Sequence, residues 1–199
     1  MHTNGVARVI AGEAGGRRLA VPEGRETRPT SDRAREGLFA TVTSIAGPLA
    51  GARVLDLYAG SGAIGLEALS RGAEHVLLVE SGARAAGVIR ANIDAIGLPG
   101  ATVIAGRVDR VLARGPAHPG GRYDLAFADP PYAEPDEEVS RVLRLLTGVG
   151  WLASRALVVV ERATRSGPVR WPEGFVPDRA RRYGEATFWY GRCDAGPAS

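Results

Sequence analysis

Residues 54–69 constrain this chain more than any other part of its sequence. The apolar residues of this stretch are first packed closely, as in a short buried strand, and then recur at helical spacing. Gly60 and Gly62 lie between the two patterns, where the backbone must turn sharply and a Cβ would collide with an approaching ligand. The sequence therefore predicts a strand, a tight turn and a helix whose first free amides point at a ligand.

Three interpretations fit this turn. From Gly60 onward the residues satisfy the dinucleotide pattern G-x-G-x-x-G, and Glu80 ends the next apolar run at about the distance expected for a ribose contact. Asp56 favours a different ligand, because a carboxylate at that strand end suits an ammonium group and a sulfonium charge but repels a pyrophosphate. A plain strand, turn and helix without a ligand is the third interpretation.

The spacing Asp-x-x-x-Gly-x-Gly resembles motif I of the S-adenosylmethionine-dependent methyltransferases. The resemblance implies cofactor contacts from the strand end and the turn, namely from Asp56, Tyr58, Gly60, Ser61 and Gly62. Glu80 ends the following strand, where a carboxylate can accept hydrogen bonds from both ribose hydroxyls.

Length and composition set the limits of the fold. A chain of 199 residues with 45% hydrophobic content can form one domain with a sizeable core. Arginines outnumber acids seven to four in residues 1–35 and seven to three in residues 162–192, whereas residues 36–161 hold eleven arginines and fourteen acids. Basic ends suit phosphate contacts with a nucleic acid, although an ordinary solvated surface has the same composition.

Several classes of protein are disfavoured. The one cysteine, Cys193, lies near the C-terminus, so neither a disulfide framework nor a thiolate metal cluster is expected, and no metal is predicted. No run of 18 apolar residues exists and the N-terminus lacks a signal segment, so we expect a cytoplasmic protein.

The N-terminal region carries the first arginines that could meet RNA. Residues 6–22 alternate loosely around a pair of glycines, which predicts two short strands. Arg8, Arg17 and Arg18 would decorate this hairpin as a basic ribbon, and protection of a sheet edge is the other use of such charges.

Residues 28–39 predict an extended segment followed by a capped amphipathic helix, because Pro29 keeps its predecessor extended and Thr30 or Ser31 can cap. The run Arg-Pro-Thr followed by Arg-Glu resembles a segment of the bacterial ribosomal RNA guanine-N2 methyltransferases of the RsmD family. That resemblance implies a loop and helix that close over the methionine end of the cofactor and border the substrate, with Arg28, Thr30 and Arg33 as candidates.

The third strand, at residues 101–105, leads to a departure from the family pattern. Relatives commonly place Asp or Asn directly after a glycine here to meet the adenine amino group, whereas this chain has Arg107 after Gly106. Either Asp109 substitutes from two residues on, or the backbone at Arg107 and Val108 contacts adenine. The residues leave both alternatives open.

The fourth strand, residues 123–128, delivers the tetrapeptide Asp129-Pro130-Pro131-Tyr132, which resembles motif IV of the methyltransferases that modify exocyclic amino groups of bases. The two prolines remove amide donors, so the corner presents mainly acceptors, and an exocyclic amine offers only donors. We predict that Asp129 and the Pro130 carbonyl accept these hydrogen bonds and that Tyr132 stacks on the base. A helix-entry turn with a buried tyrosine is the structural alternative.

Near the C-terminus, residues 168–192 predict a closing hairpin whose aromatic residues 188–190 lie in the core, with Arg181 beside it as an RNA candidate. The predicted organisation is a hairpin and loop extension over residues 1–35, a methyltransferase domain over 36–192 and a disordered tail over 193–199.

The element order predicts an α/β fold with a doubly wound, mostly parallel sheet. The resemblance to methyltransferases implies the Rossmann-like class I type with seven strands. The resemblance to the RsmD family implies S-adenosylmethionine as the cofactor, S-adenosylhomocysteine as its product, and the N2 amine of a guanine (guanine-966 type) in 16S ribosomal RNA as the target, within a partly or fully assembled small subunit. A monomer is expected. The alternatives are an amino-methyltransferase acting on adenine N6 or cytosine N4, an NAD-dependent oxidoreductase, and a non-enzymatic RNA-binding protein.

Overall fold

The computed structural model of this chain describes residues 7–22, 31–117 and 121–194. The candidates Arg28 and Thr30 lie outside these ranges. Within the described ranges, no helix combines the length and the apolar character needed to cross a bilayer.

The described residues form two sheets and five α-helices. The strands are β1 (Ala7–Arg8), β2 (Arg18–Leu19), β3 (Arg53–Leu57), β4 (His75–Glu80), β5 (Ala101–Ala105), β6 (Tyr123–Ala128), β7 (Leu152–Ala163), β8 (Phe175–Tyr183) and β9 (Ala186–Cys193). The helices are α1 (Asp32–Ala46), α2 (Ala63–Ser70), α3 (Ala83–Ile96), α4 (Val108–Leu112) and α5 (Asp136–Gly148).

The main sheet has seven strands in the order β5-β4-β3-β6-β7-β9-β8, and β1 pairs with β2 in a separate antiparallel ribbon. The pairings from β5 to β7 are parallel, whereas β9 runs antiparallel to both β7 and β8. The predicted fold class is therefore confirmed. The strand order reverses between β3 and β6, and ligands of open α/β sheets bind at the carboxyl ends of the strands at such a reversal.

Two hydrophobic clusters cover the two faces of the sheet. One contains residues of the hairpin, α1, α2 and α3, and the other contains residues of α4 and α5. Side chains of a strand point alternately to the two faces, so Leu55 and Leu57 pack in the second cluster while Val54 packs in the first. This alternation places Asp56 on the face that α1, α2 and α3 cover.

Two secondary-structure elements cross predicted domain boundaries. Helix α1 begins at Asp32 and crosses the predicted boundary at residue 35, because Ser31 caps it by accepting a hydrogen bond from the Ala34 amide. Strand β9 continues through Cys193, which is buried and is the first residue of the predicted tail. The hairpin also shares its core cluster with the sheet and packs as part of one body.

Candidate active site

Four acidic residues lie at the carboxyl ends of four neighbouring strands. Glu80 is the last residue of β4, Asp56 lies near the end of β3, Asp129 directly follows β6, and Glu161 lies near the end of β7. The core residues two positions before each of them, Leu78, Val54, Phe127 and Val159, all belong to the first cluster. Alternation along each strand therefore directs all four carboxylates to one face of the sheet, across the reversal between β3 and β6.

Glu80 holds the glycine turn in place. Its Oε2 accepts a hydrogen bond from the Gly60 amide at 2.9 Å, and its Oε1 accepts one from the Gly82 amide at 2.8 Å. The side chain is nearly buried, with 3% of the residue exposed. The carboxylate thus joins the end of β4 to the turn after β3, and its predicted contact with a ribose stays a prediction.

Asp56 anchors the start of α2. Its Oδ2 accepts a hydrogen bond from the Gly65 amide at 2.8 Å, and only 3% of the residue is exposed. Burial raises the pKa of Asp56 to about 7, the nearby Glu80 adds to this rise, and the Gly65 hydrogen bond opposes it. In the structure, Asp56 therefore positions the turn and the helix, and its predicted contact with a cofactor stays a prediction.

The turn requires unusual backbone angles. Tyr58 has a φ of 61°, which is rare for a non-glycine residue, and Gly62 has a φ of 79°. A Cβ on Gly62 would lie 3.0 Å from Leu78 Cδ2, so the position is crowded as well as strained for other residues. Alternation along β3 would direct the Tyr58 side chain to the face of the first cluster. With its positive φ, the Tyr58 ring packs against the second cluster instead.

A cavity of about 150 Å³ lies beside this ring. Its lining includes Tyr58, Ser81, Arg107, Val108, Asp109 and Pro131. Three of these, Tyr58, Val108 and Asp109, are predicted cofactor residues.

Asp109 at this cavity is held by two arginines. It accepts hydrogen bonds from Arg107 at 3.1 and 3.3 Å and from Arg141 at 2.7 Å. The hydrogen bonds from Arg107 are the main reason why the pKa of Asp109 is lowered.

The motif IV corner lies on the other side of the reversal. The Asp129 amide donates to the Leu57 carbonyl at 3.3 Å, which fixes the corner against the end of β3. Pro130 is buried, and Tyr132 is exposed at 39%. The structural alternative of a buried tyrosine is therefore wrong. Burial of the phenol together with the nearby Glu161 and Asp129 raises the pKa of Tyr132.

Tyr132 borders a cavity of about 310 Å³ between β7 and the turn that joins β8 to β9. The cavity is lined by Tyr132, Ala163, Thr164, Arg165, Arg182 and Glu185. The sequence patterns did not indicate Glu161 or Arg165 as site residues. The signal for Glu161 was present in the sequence, because it ends an apolar run in the same way as Glu80.

The N-terminal ribbon is fastened to α2 and α3 through buried polar side chains that the sequence patterns did not reveal. Glu67 accepts hydrogen bonds from the Ile10 amide at 2.6 Å and the Ala11 amide at 3.1 Å. Asn92 exchanges two hydrogen bonds with the backbone of Ala20 and donates a third to the Ser61 carbonyl at 2.9 Å. Asn92 thereby joins the ribbon to the glycine turn.

The predicted RNA arginines differ in their environments. Arg18, Arg33 and Arg181 are exposed, and Arg8 is exposed while it pairs with Asp32 at 2.9 Å. Arg17 instead donates to the carbonyls of Ala95, at 3.2 Å, and Ile96 at the C-terminal end of α3. A cation at that end of a helix is stabilising, so the structure gives Arg17 a role in the fold.

The sheet order, the glycine turn after β3 and the acidic strand ends define a methyltransferase of the S-adenosylmethionine-dependent class. The structure is similar to that of yhhF from Escherichia coli, with a TM-score of 0.82 and 30% identity, covering 96% of this chain and 100% of the other. TrmN of Thermus thermophilus has the same fold, with a TM-score of 0.62 and 23% identity, over 78% of this chain and 48% of the other.

Residues 7–192 match the family model described as conserved hypothetical protein 95. The chain is 33% identical over 185 residues to ribosomal RNA small subunit methyltransferase D of Escherichia coli, which covers 93% of this chain and 89% of that protein. The protein of the same name from Haemophilus influenzae is 32% identical over 176 residues, or 87% of each chain. The chain therefore belongs to the conserved hypothetical protein 95 family, the RsmD family, and the predicted resemblance is confirmed.

Proposed function

We propose that this protein methylates the N2 amine of one guanine in 16S ribosomal RNA, with S-adenosylmethionine as the cofactor. The substrate in this proposal is the small ribosomal subunit, partly or fully assembled, and the enzyme acts as a monomer in the cytoplasm. The observation that carries the proposal is the position of the Asp129–Tyr132 corner, which lies next to the glycine turn across the reversal of the sheet. The names of the bacterial relatives support the choice of ribosomal RNA.

The residues on the β3 and β4 side fit the cofactor. Glu80 offers two carboxylate oxygens at the end of β4, which suits the paired hydroxyls of a ribose. The cavity beside Tyr58 and Val108 offers an apolar wall for a purine ring. When bound, S-adenosylmethionine supplies a methyl group on a positively charged sulfur. The acidic strand ends favour that charge, whereas they would repel the pyrophosphate of NAD.

The residues on the β6 and β7 side fit an exocyclic amine. Asp129 and the carbonyl that precedes Pro131 present acceptors, and accepting the amine hydrogens favours a pyramidal nitrogen whose lone pair can attack carbon. The nitrogen gains the methyl group as the bond from that carbon to sulfur breaks, and it loses one proton, for which Asp129 is the proposed acceptor. Tyr132 is exposed enough to stack on the base, an interaction of about 1 to 3 kcal/mol that holds a base without selecting it. Positioning and electrostatics then supply the rate.

The RNA contacts follow from the exposed arginines. Arg8, Arg18, Arg33 and Arg181 remain candidates for phosphate contacts, and Arg28 and Thr30 remain predictions outside the described residues. Arg165 and Arg182 join them, because they line the cavity beside Tyr132 through which a base would approach. The target base must leave its stack or lie in a loop before it reaches Asp129.

The test is to incubate the protein with labelled S-adenosylmethionine and each of three substrates: under-methylated small subunits, naked 16S ribosomal RNA, and duplex DNA. Digestion and mass analysis identify the modified nucleoside. We expect N2-methylguanosine from the small subunit. Methylation of adenine or cytosine, or of DNA alone, would overturn the proposal in favour of the other amino-methyltransferases.

The matched variants are Asp129→Asn and Asp94→Asn. Asp129→Asn replaces an acceptor oxygen at the corner and should lower the rate of methyl transfer about 100- to 1,000-fold with RNA binding retained. Asp94 is exposed on α3, and its variant should keep the wild-type rate. If Asp129→Asn also kept the wild-type rate, the corner would have no part in the reaction.

A further inference from the structure

Glu161 lies next to Asp129 at the edge of the sheet. Strand β6 pairs with β7 in register, with Ala128 opposite Val160, so the next residue on each strand, Asp129 and Glu161, stands at the same level. Neighbouring strands are about 4.8 Å apart. Both residues also line one small cavity in the core, together with Ile64 from α2.

The two carboxylates point to the same side. Phe127 and Val159, two residues earlier on the two strands, both pack in the first cluster, and alternation gives Asp129 and Glu161 the same direction. Ala163, two residues beyond Glu161 on the same face of β7, lines the cavity beside Tyr132. Glu161 therefore lies on the face of β7 that borders this cavity, about 7 Å away along the strand.

Glu161 is nearly buried, with 6% of the residue exposed. Burial is the main cause of the raised pKa of the Tyr132 phenol, and the nearby Glu161 and Asp129 add to it, which agrees with their common location beside the ring that is proposed to stack on the base.

The edge of guanine offers a donor pattern that two adjacent carboxylates can recognise. Guanine presents the N1–H donor directly beside its N2 amine. Adenine and cytosine instead present a ring nitrogen with a lone pair beside the N6 or N4 amine. Asp129 alone accepts a hydrogen bond from any of these amines, since all three offer only donors. A second carboxylate beside it would accept from guanine N1–H and would face an unpaired acceptor in the other two bases.

We infer that Glu161 is a specificity-determining residue that accepts a hydrogen bond from N1–H of the target guanine while Asp129 accepts from its N2 amine. This inference rests on the proposed function and adds the reason why guanine is chosen. A carboxylate facing a ring-nitrogen lone pair loses its hydrogen bond and meets repulsion. Loss of a hydrogen bond to a charged group costs about 1.5 to 3 kcal/mol, or roughly a 10- to 150-fold lower kcat/KM.

The test uses 2-aminopurine, which keeps the N2 amine of guanine but has a bare N1 acceptor. The target guanine identified in the methylation experiment is replaced by 2-aminopurine in the ribosomal RNA, and methyl transfer to the two substrates is compared. We expect wild-type protein to prefer guanine at least about 10-fold. Equal rates on the two substrates would overturn the inference without any variant being needed.

Glu161→Gln sharpens this test, because the glutamine amide can donate to the N1 acceptor of 2-aminopurine. We expect the ratio of guanine to 2-aminopurine kcat/KM to fall at least about 10-fold in this variant. A carboxylate that only stabilised the fold would change the melting temperature and leave the ratio unchanged, and that result would overturn the inference. Glu161→Asp, which keeps the charge, should retain the preference for guanine, and Asp94→Asn serves as the unaffected control.

Failure of the inference and failure of the proposed function give different results. If wild-type protein transfers no methyl group to guanine N2, the proposed function is wrong. If it methylates guanine with the same efficiency as 2-aminopurine, the function stands and only the role of Glu161 is wrong.

Discussion

The two halves of the strand-end surface are built from the same kind of residue in different ways. On the β3 and β4 side, Asp56 and Glu80 accept hydrogen bonds from amides of Gly60, Gly65 and Gly82. Hydrogen bonds to backbone amides of the adjoining turns therefore hold both carboxylates. On the β6 and β7 side, Asp129 and Glu161 come together because two consecutive strands, separated by α5, pair in one register. We conclude that the cofactor half is held by bonds between carboxylates and turn amides, whereas the substrate half is set by strand register.

The largest expected effect concerns the cofactor half, where Asp56 should make the free energy of unfolding depend on pH. Burial raises its pKa to about 7 in the folded chain, against about 3.9 for an unperturbed aspartate in the unfolded chain. Between these values the unfolded chain has lost the proton while the folded chain keeps it, so the unfolded state binds fewer protons. The free energy of unfolding should therefore fall as pH rises from about 4 to 7, by roughly 2 to 4 kcal/mol, and level off above that.

Asp56→Asn tests this prediction, because the asparagine oxygen can still accept from the Gly65 amide but does not titrate. Urea unfolding across this pH range should show the variant gaining stability relative to wild type as pH rises. A difference that stays constant with pH would show that Asp56 is ionised throughout. Asp94→Asn, on the exposed face of α3, provides the control.

The next effect concerns cofactor affinity and its independence from base selection. Glu80→Ala removes the proposed ribose acceptor, so we expect S-adenosylmethionine to bind about 10- to 100-fold more weakly by calorimetry. The ratio of guanine to 2-aminopurine methylation should stay as in wild type, whereas Glu161→Gln should change the ratio and leave cofactor affinity intact.

Glu74→Ala is the matched control for this pair, because Glu74 is exposed just before the opposite end of β4. If Glu80→Ala and Glu161→Gln both altered cofactor affinity and base preference to similar extents, the division into two halves would be wrong.

The last prediction compares two glycines in helices, one in a crowded position and one facing open space. A Cβ on Gly65 would lie 2.8 Å from Val76 Cγ1 and 3.0 Å from Asp56 Oδ2, so Gly65→Ala should destabilise the fold by about 1 to 3 kcal/mol. A Cβ on Gly87 in α3 meets nothing within 4 Å, so Gly87→Ala should stabilise by about 0.4 to 1 kcal/mol. Thermal unfolding of the two variants should show shifts of opposite sign, and shifts of the same sign would contradict the crowding at Gly65.

Local features of the fold were predictable because they depend on neighbouring residues. The strand, glycine turn and helix at residues 54–69 carry their own periodicity, and helix α3 ends where Gly97 takes a positive φ of 63°. Glu80 is identifiable because it ends an apolar run, whereas Asp56 and Asp129 are identifiable from motifs that resemble those of methyltransferases. The exposed strand β8 was less evident, because only Phe175 of its nine residues is buried and no alternation marks its bounds.

Features that depend on distant pairing were not predictable from the sequence patterns. The adjacency of Glu161 and Asp129 requires knowledge that β7 lies beside β6 in a particular register. Likewise, no sequence pattern indicates that Asn92 in α3 donates a hydrogen bond to the Ser61 carbonyl. Nor does any pattern indicate that Arg17 donates to the Ile96 carbonyl at the end of α3. These contacts join segments separated by 31 and 79 residues, a distance over which periodicity carries no information.

A crystal structure of the protein with S-adenosylhomocysteine tests the central claim most directly. The division of the surface predicts the ribose hydroxyls on the Glu80 carboxylate, the purine in the cavity beside Tyr58 and Val108, and the sulfur facing Asp129 across the end of β3. A ligand bound elsewhere, or a corner at Asp129–Tyr132 that points away from the sulfur, would contradict the account.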